Sequence, residues 1–141
     1  MEHTGGLHLI MDGRFEDRVE IDVGNIIGII NTLVQELNMV YLTKPRATYT
    51  PDEQGISVFA QMYNAHVIVY VWPELRLFSL EIFSYNSFDL NVAGKLLWAQ
   101  MEIQSAIVRA FRRDASSNIL DKGTSVTEAV RMVRRWQPMF V

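Results

Sequence analysis

"ISVFAQMYNAHVIVYVWPELRLFSLEIFS", residues 56–84, is the stretch on which the fold turns. Three runs rich in β-branched and aromatic residues, 56–63, 66–72 and 76–84, are parted only by Asn64-Ala65 and by Pro73-Glu74. Breaks this short can turn a hairpin, whereas a parallel crossover needs about a dozen residues or more. The stretch therefore predicts an antiparallel meander.

Working outward, Leu7 to Met11 reads as a short strand. Asp22 can cap a helix whose apolar residues Val23, Ile26, Ile27, Ile30, Leu33, Val34 and Leu37 follow helical spacing, with Asn38 as its stop. Residues 39–48 suit a strand that Pro45 confines to a sheet edge, and "YTPDEQG" (49–55) is a loop. Beyond the meander, Asp89 or Ser87 can cap a second helix that turns Val92, Ala93, Leu96 and Leu97 inward. Residues 102–112 fit a last strand, although "EIQSAIVRAFRR" also suits a helix. Ser125 and Glu128 form a capping box, and Val126, Val130, Val133 and Trp136 share one side of the helix it predicts. The fold class is α+β: a two-layer sandwich of an antiparallel sheet with helices on one face.

Composition narrows the function. A chain of 141 residues, 49% of them apolar, suits a folded domain. It has no cysteine, which excludes disulfides, thiolate metal sites and cysteine nucleophiles. His3, His8 and His66 have no zinc-motif spacing, no HExxH is present, and no metal is expected. Neither a GxGxxG, a P-loop nor a nucleophile elbow occurs. The opening residues, MEHTGGLHLIMDG, lack a basic start and a long apolar run, so a cytoplasmic protein with no membrane segment is expected. The net charge of −3 hides an asymmetry: residues 1–100 carry six Lys/Arg against twelve Asp/Glu, and residues 101–141 carry seven against four. The basic end reads as a solvated helix face or a docking helix for a protein partner, and no nucleic-acid motif accompanies it.

Several of these residues fall into one pattern. Gly6, His8 and Asp12 lie on the first strand, followed by Tyr49-Thr-Pro51 and by Gly55-Ile-Ser57. Then come Asn64-Ala65-His66, three residues, and Tyr70-Val71-Trp72-Pro73-Glu74, and finally Glu81-Ile-Phe83-Ser-Tyr85. Over about residues 5–112 the chain resembles the prokaryotic S-adenosylmethionine decarboxylases, with Trp-Pro-Glu at the right distance from the turn His as the most specific anchor. The resemblance implies a decarboxylase-like domain over residues 1–115; residues 116–141 lie beyond it and are expected to form a helical extension packed on the same domain. It also implies a homodimer that packs sheet on sheet in four αββα layers.

In that family a serine at position 65 attacks the preceding carbonyl, and the broken chain carries a pyruvoyl group as electron sink. Ala65 has no such oxygen. The preceding Glu is Asn64 here, the processing His is Tyr70, and the general-acid Cys is Tyr85; only His66 is retained. The resemblance thus implies a pseudoenzyme without pyruvoyl or other cofactor. Its ligand would be S-adenosylmethionine-like, held by Tyr49 stacking on the base, Ser57 near the old reactive centre and Glu74 on the ribose; a regulatory partner subunit is the companion reading. The alternative is a repurposed enzyme acting on S-adenosylmethionine or a relative, with Tyr70 or Tyr85 as proton donor and Glu74 or His66 as base. The bulk of Tyr70 and Tyr85 raises a further expectation, that they fill the old cavity.

Overall fold

The computed structural model describes residues 5–52, 54–114, 128–133 and 136. They form a seven-stranded sheet with every neighbouring pair antiparallel, in the order β2-β3-β4-β5-β1-β6-β7. The strands are β1 (Gly5–Phe15), β2 (Tyr41–Tyr49), β3 (Ile56–Met62), β4 (Ala65–Trp72), β5 (Leu77–Ser84), β6 (Ile103–Asp114) and β7 (Glu128–Val133). Two helices, α1 (Val23–Glu36) and α2 (Leu90–Gln100), pack against each other and against β2, β3 and β6.

Alternation along the strands builds the core. On β4, Ala65, Val67, Val69 and Val71 are buried, while His66, Ile68, Tyr70 and Trp72 point the other way. Leu7, Leu9 and Met11, Val58 and Ala60, Phe78, Leu80 and Ile82, and Val108 and Ala110 continue the buried layer. Ile26, Ile30, Leu33 and Val34 of α1 close it, with Ala93 and Leu97 of α2. This is a two-layer α+β sandwich, and among the described residues the opposite sheet face carries no helix. Among the described residues no helix is long and apolar enough to cross a membrane.

The ends of α1 follow from two side chains. The Asp22 carboxylate accepts from the Gly24 N–H at 3.1 Å. Asn38 takes a left-handed φ of 56°, which lets the Asn38 N–H reach the Gln35 carbonyl and the Met39 N–H reach that of Val34. Asp89 caps α2 through the N–H groups of Asn91 and Val92. β2 lies at an edge, and its pairing slips on both sides of Thr43 and before Arg46, where Pro45 cannot donate to a ladder.

Three expectations need correction. The first strand is more than twice as long as Leu7 to Met11, because pairing with both β5 and β6 extends it. Val92 is 37% exposed; Gly94 takes the inward position, against the Trp136 indole. The C-terminal helix read from Ser125 is a strand over Glu128–Val133, paired with β6 from Phe111 to Ala106. The unpaired edge of β6 offers those residues a full ladder, which outweighs a local capping signal. The basic docking helix is therefore not helical there; Ser125 and Val126 lie outside the described residues.

Candidate functional site

The β3–β4 turn places Asn64 and Ala65. Asn64 has φ 58°, a conformation its short polar side chain tolerates. Backbone bonds hold the turn from both neighbours: Tyr63 N–H donates to the Val40 carbonyl at 3.0 Å, and Tyr85 N–H donates to the Asn64 carbonyl at 2.7 Å. The Ala65 methyl belongs to the core and is 7% exposed. A hollow of about 500 Å³ opens beside this turn, lined among others by Asn64, Ala65, His66, Phe59, Phe83 and Tyr85.

Tyr49, Ser57 and Tyr70 meet at the other end of the hairpin. Register pairs Ser57 with Thr48 on one side and with Tyr70 on the other. Together with Trp72 and Gly55 they line a second hollow, of about 310 Å³. The Tyr70 and Trp72 rings stack there at 6.3 Å and 21°. The mouth is tied by backbone: Thr50 N–H donates to the Gly55 carbonyl, and Gly55 N–H to the Thr50 hydroxyl oxygen. The Thr50 hydroxyl and the Gln54 N–H, both donating to Asp52, hold that carboxyl below its ordinary pKa.

The expected site residues thus form two groups. Tyr70 lies five residues along β4 from Ala65, roughly 17 Å at about 3.4 Å per residue. Tyr70 and Tyr85 line different hollows and are 43% and 39% exposed, so they do not plug a shared one. Glu74 sits exposed on the 3₁₀ turn Pro73–Leu75 that follows Trp72 and does not line the Tyr49 hollow.

Sequence separation concealed another group. His8 Nε2 lies 3.1 Å from Glu81 Oε1, and His66 Nε2 lies 3.5 Å from the same oxygen. Phe83 packs against both imidazoles, and the Arg113 guanidinium lies 4.5 Å from the Phe83 ring centre. Burial, opposed by the Glu81 charge, leaves the His8 pKa below its ordinary value; Arg113 and His66 add to the lowering. The useful signal was the two-residue period: register sets His66, Phe83 and His8 in one row across β4, β5 and β1. His3 lies outside the described residues. Among those described, no group of three His, Cys, Asp or Glu is arranged to hold a metal ion.

Comparison with known proteins adds one finding. The family model described as S-adenosylmethionine decarboxylase matches residues 8–114, which takes in both hollows and the shared carboxylate. No curated protein matches the chain.

Proposed function

The chain belongs to the S-adenosylmethionine decarboxylase family, and we propose that it is a member that neither cleaves itself nor carries a pyruvoyl group and that binds a nucleoside-type ligand of the S-adenosylmethionine kind. The observation that carries this reading is the methyl group of Ala65, which lies in the core where the family's nucleophilic hydroxyl would stand. The carbonyl that such a hydroxyl would attack, that of Asn64, already accepts from Tyr85 N–H. A polarised acceptor is present and the attacking atom is not.

Support for the ligand comes from the Tyr49–Ser57–Tyr70–Trp72 hollow. Aromatic faces suit a flat base, and hydroxyls at the rim suit its polar edge. Its volume of about 310 Å³ lies at the small end of the range for ligand sites, so a second wall would complete it. The helix-free face provides a reason for one. Phe59, Tyr70, Leu77 and Ile107 are exposed on it, an arrangement that suits face-to-face pairing of two copies. Both hollows open on that face, and a homodimer would bring each towards the partner's sheet.

The test is calorimetric titration of the purified protein with S-adenosylmethionine, followed by assay of the recovered ligand. Binding with the ligand intact supports the proposal, and breakdown would replace it with the repurposed enzyme. Absence of heat at two temperatures would shift the reading to a partner subunit.

A further inference from the structure

Trp72 also walls a third hollow, of about 440 Å³, that lies across β1, β4, β5 and β6 and shares neither Tyr49 nor Ser57 with the hollow of about 310 Å³. Its lining includes Asp12, Arg14, Trp72, Leu77, Ser79 and Ile107. Asp12 and Arg14 are two residues apart on one strand, so both face this hollow, with Cα atoms roughly 6.7 Å apart. Their charges are opposite, yet they do not pair. Among the described residues the Asp12 carboxylate accepts only from the Ser79 hydroxyl, at 2.5 Å, and the Arg14 guanidinium has no carboxylate within ion-pair distance.

The backbone here is shaped to hold them. The β1–β6 register slips between Arg14 and Phe15, a bulge of the kind that re-aims a side chain. Gly13, between the two charges, lies so close to its neighbours that a Cβ would sit 2.7 Å from both the Phe78 ring and the Ser105 carbonyl. One carboxylate with acceptor capacity to spare, one guanidinium unengaged among the described residues and an apolar wall of Trp72, Leu77 and Ile107 complement a particular chemistry. An ammonium would be drawn to Asp12, a carboxylate would accept the Arg14 fork, and a hydrocarbon group would cover the wall.

We propose that this hollow binds a free α-amino acid with an apolar side chain, as a zwitterion held between Asp12 and Arg14. Of the two linings only Trp72 is common, so binding here does not rest on the nucleoside ligand, although Leu77 and Ile107 also lie on the face proposed to pair two copies, whose second sheet would then close this hollow as well.

The test is calorimetry of the full chain with L-leucine, L-valine and L-phenylalanine, together with isoamylamine and 4-methylvalerate, which each keep only one of the two charges. Saturable binding of at least one amino acid is expected, with the one-charge compounds at least tenfold weaker. Asp12→Asn and Arg14→Gln should each weaken it at least tenfold at an unchanged melting temperature. Tyr49→Ala should leave it unaltered even if it abolishes binding of S-adenosylmethionine, so the two readings can fail separately. No binding of any of the three amino acids, an amine that binds as tightly as the amino acid, or an affinity indifferent to Arg14→Gln would overturn the proposal.

Discussion

His8 and His66, which stand 58 positions apart in the chain, reach the same carboxylate oxygen of Glu81, one at 3.1 Å and the other at 3.5 Å. His8 is the more enclosed, with 11% of its side chain exposed and its Nδ1 buried without a hydrogen-bond partner among the described residues. Burial is what lowers its pKa in the fold, against the pull of Glu81. In the unfolded chain His8 takes its proton near pH 6.5; in the fold it does so only at lower pH. Between those two values the unfolded chain binds more protons, so stability rises with pH. It is complete above about 6.5 and falls as acid carries the protein down through the folded value. Melting temperatures at pH 7.5 and 5.5 should therefore differ more for the wild type than for His8→Gln. Removing the charge that raises the His8 pKa, by Glu81→Gln, should make the loss at pH 5.5 larger still. Equal losses in all three proteins would show that His8 is not the group responsible.

Ala65 yields the next prediction. Denaturing mass spectrometry should give one polypeptide of 16.2 kDa, and Ala65→Ser should give one as well. A new hydroxyl at 65 projects from a position that is 7% exposed in the core, and Tyr70 stands where the family has its processing His. Burying that hydroxyl should cost about 1–3 kcal/mol, read from urea unfolding. Two fragments meeting at residues 64 and 65 would refute the non-processing assignment.

The contrast between what these residues disclosed in sequence and what they hid has a physical basis. Both ends of α1 were legible, because Asp22 and Asn38 act on backbone groups within a few positions. The meander was legible for the same reason, since Asn64 and Pro73 set local turns. Residues 102–112 fit two states, and pairing along β1 decides for a strand, Ile103–Asp114. The segment after Ser125 was misread because the edge of β6 is invisible from its own spacing. The site divided in the same way. Tyr49 and Ser57 were named together with Glu74; the hairpin register joins the first two and adds Tyr70, while Glu74 stays outside their hollow. Asp12, read only as part of the first-strand pattern, and Arg14, which carries no motif, are brought to Trp72 by the sheet order.

Trp136 rests on α2, its Nε1–H donating to Asn91 Oδ1 at 3.2 Å. A Cβ on Gly94 would lie 2.3 Å from the indole, closer than any packing allows. Gly94→Ala should therefore displace Trp136 even though alanine favours a helix by about 1 kcal/mol over glycine. The expected net effect is destabilisation of about 1–2 kcal/mol, overpacking exceeding propensity, with a red shift in tryptophan emission. A more stable variant with unchanged emission would mean that the indole does not occupy that position.

Arg76 joins the Trp-Pro-Glu turn to the chain before α1. Its Nη2 donates to the carbonyls of Glu16 at 2.6 Å and Val19 at 2.5 Å, while its own carbonyl accepts from Phe15 N–H at 3.0 Å. Its φ of 57° is unfavourable for a side chain of this size. Two effects therefore oppose each other on substitution. Arg76→Ala removes bonds to a charged donor, each worth about 1.5–3 kcal/mol, and leaves two carbonyls to find other donors. Arg76→Gly removes the same bonds but also relieves the left-handed strain, worth about 1–2 kcal/mol. Alanine should accordingly be the more damaging of the two, at about 2–4 kcal/mol in urea unfolding, with glycine recovering roughly 1 kcal/mol. Hydrogen exchange should speed up at Phe15 and Val19 in both variants, because the guanidinium that pins the loop is gone from each. If glycine and alanine destabilise equally, the backbone conformation at Arg76 costs nothing and the guanidinium contacts alone account for its place in the fold.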